Sequence, residues 1–178
     1  LFQYLSALPA IPQDLLTNPL VDTVGYSDSR NPIEPTYTRW SARSDLIEWL
    51  RLNITERVDI AGIQQIVWPD PSITELEPHT DKRNWALNYL FDTGGPAVET
   101  SFYLENKHKL VREPRIKRKP GNHLQCVYTV RIQPFRWHLI NTSVLHGVSN
   151  GSGTRSAVTV GFFGDNPFAY IKGYEQLF

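Results

Sequence analysis

A chain of 178 residues, 40% hydrophobic and 12% aromatic, is long enough to bury a core and too apolar for global disorder. Eighteen basic residues balance eighteen acidic ones, so net charge by itself calls for no polyanionic partner. One cysteine, Cys126, excludes an intrachain disulfide and suits a reducing, cytoplasmic setting, and no apolar run reaches the length of a membrane span. The N-terminal "LFQYLSALPAIPQ" lacks the basic flank of a signal peptide, and a chain without methionine is expected to have lost its natural start. The first forty residues hold five prolines and little periodicity, which predicts loops, short turns and at most one brief helix from Pro12. From Ser44, "SDLIEWLRLNI" predicts a helix capped by that serine, with Leu46, Trp49, Leu50 and Ile54 at helical spacing.

Beyond the helix the character changes. "AGIQQIVW", "WALNYLF", "AVETSFYLE", "LQCVYTVRIQ", "RWHLIN", "SVLHGV" and "SAVTVGFF" are short, rich in β-branched and aromatic residues, and separated by Gly, Pro, Asn or Asp. They predict a mostly antiparallel β architecture, a sandwich or open barrel with the helix packed against it. Residues 106–122, "NKHKLVREPRIKRKPGN", hold seven of the eighteen basic residues and one acid, Glu113. The plainer reading is a solvated loop; the sharper one is a basic lip that recruits an anionic substrate.

In "PHTDKRNWALNYLFDTGG", His79 and Asp81 stand two apart, so an extended backbone turns both toward one side. Imidazole plus carboxylate is two-thirds of the 2-His-1-carboxylate triad that holds Fe(II) with open positions. The pair needs a second histidine from a distant strand. His108 lies in the basic segment, His123 beside a Pro-Gly turn, and His138 between large apolar neighbours, where a core or surface role is the simpler reading. His146 stands in an apolar strand, "SVLHGV", followed by a turn and then Arg155 at the start of another apolar strand. Period two puts Val144, His146 and Val148 on one face, and Arg155, Ala157 and Thr159 on another.

With H-x-D at His79 and Asp81, the "ALNYLF" strand and Gly-Gly turn, the distal "LHGV" histidine and an arginine nine residues later, the chain resembles the Fe(II)/2-oxoglutarate-dependent oxygenases over residues 66–164. The resemblance is to their prolyl-hydroxylase-like branch. It implies a double-stranded β-helix (jelly-roll) with one or more helices outside, laid out in one domain over 1–178: N-terminal loops and helix in 1–60, jelly-roll core in 61–164, tail in 165–178. It also implies Fe(II) on His79, Asp81 and His146, with 2-oxoglutarate as cosubstrate and Arg155 on its distal carboxylate, where a guanidinium makes two parallel hydrogen bonds. Some members of the branch place a tyrosine in the strand after H-x-D on that same carboxylate. Tyr89 matches the place, and an ordinary core tyrosine is the other reading. Many relatives carry Ser or Thr two residues after the arginine; Ala157 departs from this, leaving Thr159 or Tyr89 to supply the hydrogen bond.

The implied activity is hydroxylation of an amino acid, peptide or small metabolite, because the related halogenases replace the carboxylate of Asp81 by a small residue. One alternative is an oxidative demethylase of nucleic acids or nucleotides, using the basic segment and Trp68, Trp85 or Phe135 as stacking residues. The other is a cupin-like jelly-roll that holds zinc on the same ligands without oxidation.

Overall fold

Alternation of period two sorts each strand's side chains onto two faces, and the central strands of the large sheet bury both. The computed structural model describes residues 1–16, 26–27, 35–58, 61–68, 70–105 and 124–174. Its elements run β1 (Phe2–Tyr4), α1 (Gln13–Leu16), β2 (Tyr26–Ser27), β3 (Thr36–Trp40), α2 (Ser44–Asn53), β4 (Ala61–Val67), β5 (Leu76–His79), β6 (Trp85–Thr93), β7 (Glu99–Glu105), β8 (Leu124–Val130), β9 (Trp137–Asn141), β10 (Leu145–Ser149) and β11 (Thr154–Phe162), with a 3-10 turn at Pro167–Tyr170. Seven strands form one sheet in the order β1-β9-β6-β11-β4-β3-β2, and four form the other, β5-β10-β7-β8. All pairings are antiparallel.

From β4 onward the chain crosses back and forth between the sheets, and only the β7–β8 pair stays in one. This crossing makes the first and last core strands, β4 and β11, neighbours from Thr154↔Val67 to Val160↔Ala61. The central order β4-β11-β6-β9 facing β5-β10-β7-β8 is that of a double-stranded β-helix, with the helices outside.

The outer face of the large sheet carries Ile63, Leu87, Tyr89, Trp137, Leu139, Val158, Val160 and Phe162, packed against Leu46 and Leu50 of α2 and its C-cap residue Ile54. Those three residues are fully buried, each contributing about 1.5–3 kcal/mol of apolar transfer. The inner face carries the alternate set, Gln64, Ala86, Asn88, Leu90, Ile140, Arg155 and Ala157, which line a cavity between the sheets. β5 is a four-residue strand at the edge of its sheet among the described residues, paired there with β10 and with an irregularity in its register between His146 and Val148.

Three expectations need correction. The first forty residues contain β1 and β3 besides loops: β3 pairs with β4 over Thr36↔Val67 to Trp40↔Ile63, because β4 would otherwise leave its far edge unpaired. Helix α2 is capped by Arg43 instead of Ser44; the Arg43 carbonyl accepts the first helical bond from the Ile47 N–H at 3.0 Å. Trp68 is buried in a core cluster and Trp85 packs against another, which leaves only Phe135 of the proposed stacking residues exposed. The basic segment 106–122, with His108, and His123 beyond it, lies outside the described residues. Among the described residues no helix is long and apolar enough to cross a membrane.

Candidate metal centre

His146 on β10 and His79 on β5 are partners in register, so the two imidazoles stand side by side on the cavity face, ring centroids 4.6 Å apart. Asp81 lies two residues past His79, just beyond the end of β5, where its N–H donates to the Thr142 carbonyl at 2.9 Å. That bond turns the carboxylate back toward the histidines. One ligand atom from each of His79, Asp81 and His146 lies within 4.8 Å of the others, and His79 Nε2 is 3.8 Å from Asp81 Oδ1. A divalent ion fits such a donor set, two imidazoles and one carboxylate on a single side.

Local hydrogen bonds settle the tautomers. His79 Nδ1 lies 2.8 Å from the Glu77 carbonyl and His146 Nδ1 2.9 Å from that of Val144. A carbonyl only accepts, so each Nδ1 carries the proton and each Nε2 keeps its lone pair for the site. Burial, followed by the charge of His79, pushes His146 down to about 4, so it stays neutral and available for ligation at physiological pH.

The sequence reading missed Arg83. Its Nε donates to Asp81 Oδ2 at 3.0 Å, and its two terminal nitrogens donate to Thr159 Oγ1 at 3.1 Å and Gln64 Oε1 at 3.4 Å. The side chain is only 11% exposed and ties Asp81 to β11 and β4. Burial works to raise the Asp81 carboxyl, but Arg83, with His146 and His79, outweighs it and holds the carboxyl below its usual range. The signal was present in "HTDKR", where the alternation that joins His79 to Asp81 continues to Arg83.

Arg155 opens onto the same cavity from β11. It is 8% exposed, donates from one nitrogen to Thr100 Oγ1 at 3.1 Å, and has no acid partner among the described residues. Burial pulls its guanidinium down to about 10, which still leaves it cationic at neutral pH. Thr100 on β7 places a hydroxyl beside Arg155, Ala157 offers none, and Thr159 is engaged by Arg83.

Tyr89 does not join them. It faces the opposite side of β6, 1% exposed in the helix-side core, with its ring 5.1 Å from that of Trp137. Its neighbour Asn88 takes the cavity-facing phase instead. Tyr89→Phe keeps the buried ring and should therefore change stability by no more than about 1 kcal/mol. It should leave divalent-metal affinity within twofold, as titration of the two proteins will show.

Two buried histidines also predict an acid limb. His138 is fully buried and burial pushes it down to about 3, beside His146 at about 4. The unfolded chain protonates both near 6.5, so between that pH and about 4 it binds more protons than the folded state, and stability falls as pH falls. Urea unfolding of metal-free protein should lose roughly 2 kcal/mol per histidine between pH 7 and 5. His138→Phe should remove about half of that loss, and a flat profile would contradict the burial argument.

No protein-family model matches the chain, and no curated protein matches it. A similar solved structure is "X-Ray structure of E. coli ycfD", at 12% identity and a TM-score of 0.48, covering 94% of this chain and 50% of that one. The chain thus spans half that protein's length, and the fold is carried by the strand order and register above.

Proposed function

We propose that this protein belongs with the Fe(II)/2-oxoglutarate-dependent oxygenases and hydroxylates an amino acid, peptide or small metabolite. The observation that carries the reading is Arg155: a buried guanidinium with no acid partner among the described residues, on the wall of the cavity that holds the triad. A buried cation is costly without a counter-charge, and a plain structural metal site has no use for one. A ligand carboxylate supplies it.

His79 and His146 would offer Nε2 to the metal, Asp81 would offer Oδ1, and Arg83 would keep Oδ2 occupied. Arg155 and Thr100 would hold the distal carboxylate of 2-oxoglutarate, with Ile66, Leu76 and Val148 excluding water around its methylenes. When bound, Fe(II) supplies the oxidation in which substrate R–H, O2 and 2-oxoglutarate become R–OH, succinate and carbon dioxide.

The test is succinate release from 2-oxoglutarate by the Fe(II)-loaded protein across a panel of amino acids, peptides and methylated oligonucleotides. Succinate formation that requires both Fe(II) and O2 is expected. A protein that binds zinc stoichiometrically and neither binds nor turns over 2-oxoglutarate would be the non-oxidative jelly-roll instead. Product from the oligonucleotides alone would make it the demethylase.

A further inference from the structure

A second cavity lies on the outer side of the large sheet. It holds about 270 Å³ and shares no lining residue with the cavity of the triad. Strand β6 runs between the two: Asn88 and Leu90 line the triad cavity, and Tyr89 lines the outer one. The N-terminal segment is tied down over it. The Leu5 N–H donates to the Trp137 carbonyl at 3.0 Å, and Trp137 Nε1 donates to the Pro9 carbonyl at 2.8 Å. Tyr4, Tyr89, Phe135 and Trp137 supply aromatic walls, with Leu5 and Leu8 beside them.

Phe135 is the wall that folding by itself does not explain. Pro134 and Phe135 form the turn that leads from β8 into β9. The φ of Phe135 is 59°, a left-handed conformation that suits glycine or asparagine and is an outlier for a bulky side chain. Burial returns little for it, since the residue is 49% exposed. Its ring stands edge-on to that of Tyr89, centroids 6.4 Å apart, at the border of the cavity. A backbone outlier kept without burial points to a use for the side chain.

The polar groups around the cavity are donors. Arg136 is exposed, has no acid partner among the described residues, and is the one charged residue of a lining that contains no acid. The Tyr4 hydroxyl accepts from the Gln133 N–H at 2.8 Å, so its own proton remains to be donated. Trp137 has its N–H engaged by Pro9 and offers only its ring. Flat apolar walls with surplus donors fit a flat ring that carries an anionic acceptor. The volume falls just under the about 300–1,000 Å³ of pockets for drug-sized ligands, which limits the occupant to one ring system and one acid group.

We propose that this cavity is a second ligand site, for a small aromatic carboxylate. The ring lies against Phe135, Tyr89 and Trp137, and the carboxylate pairs with the Arg136 guanidinium. Phe135 and Arg136 are consecutive, so one strained turn brings both the ring wall and the anion partner to the cavity. The site is independent of the dioxygenase reading, because it needs neither the metal nor 2-oxoglutarate.

Heteronuclear NMR titration of the metal-free full chain with indole-3-carboxylate, indole and hexanoate tests it. Indole-3-carboxylate should give saturable amide shifts at residues 4–10 and 135–137, with a Kd on the order of 0.1 mM. Indole lacks the charge and hexanoate lacks the ring, so each should bind at least about tenfold more weakly. Arg136→Gln should weaken indole-3-carboxylate about tenfold and leave the weaker binding of indole within twofold. Phe135→Asn should weaken both ring compounds severalfold while its urea midpoint holds or rises, because asparagine accepts the left-handed backbone. A Phe135 that served only the fold would show the reverse, lower stability with unchanged binding, and that result overturns the proposal. Equal affinity for hexanoate or indole also overturns it, as do shifts confined to residues around Arg155, which would place the acid in the triad cavity.

Discussion

His146→Ala should reduce divalent-metal affinity by at least about 100-fold, roughly 2.7 kcal/mol or more. The substitution removes one of three ligands whose atoms already lie within 4.8 Å of one another before any ion is bound. Preorganisation is what is lost: His146 is 8% exposed, with its Nδ1 proton engaged by the Val144 carbonyl, so its Nε2 is aimed without further ordering. A water molecule replacing the imidazole brings neither the aim nor the donor strength. The metal-free variant should stay folded and lose part of its acid sensitivity, because a buried neutral histidine is gone. Isothermal titration with Mn(II) or Zn(II) reads the first effect and urea unfolding at pH 5 the second. Retention of affinity within threefold would mean that the ion, if any, sits elsewhere. Asp81→Ala should differ in kind. It strands the Arg83 guanidinium, 11% exposed and otherwise held by neutral Thr159 and Gln64, so stability as well as affinity should drop.

The second large effect concerns Arg155. Arg155→Lys keeps a cation but gives up the two parallel donors of the guanidinium fork, and a shorter ammonium reaches less far into the cavity. The concentration of 2-oxoglutarate needed for half-saturation should rise about 10- to 100-fold, with metal affinity nearly intact. Arg155→Met removes the charge and the bond to Thr100 Oγ1. It should abolish saturable binding of 2-oxoglutarate while raising or preserving stability, since an acid-free buried cation has been replaced by an apolar side chain of similar length. Equal loss of metal and 2-oxoglutarate binding in the lysine variant would assign Arg155 to the fold. Saturation kinetics of succinate release, with Mn(II) titrations alongside, separate the two.

What the sequence made legible was whatever depends on alternation within one strand. Arg155 with Ala157, and His146 with Val148, share the cavity face as period two requires. The phase of β6 was not legible, because alternation gives two sets and does not say which one meets the helix. Leu87 and Tyr89 took the α2 side, and Asn88 was left to the cavity. For Arg83 the alternation from Asp81 gave the side but not the burial: in "DKRN" it reads as a solvated charge after a strand, until Thr159 and Gln64 converge on it from two other strands. Thr100 was illegible for the same reason, being one hydroxyl in "VETSFYLE" until β7 comes to face β11 across the cavity. "TYTRW" has strand composition, but its prolines upstream argued for loop; the free edge of β4 decided the matter.

The edge position of β5 has a dynamic consequence. A four-residue strand held by one neighbour among the described residues, with a register fault beside His146, belongs to the part of a fold that opens first. His79 is at its end, so an ion shared between His79 and His146 spans the seam along which β5 would peel from β10. Any ligand that binds only the closed form slows opening by the factor it adds to closed-state stability, about 100-fold at a hundred times the dissociation constant. Amide hydrogen exchange in Leu76–His79 should therefore slow by about that much on addition of metal. Exchange in β11, which is paired on both sides, should hardly change. Metal loading would then be written in the exchange rates of one short edge, and measurable there without any substrate.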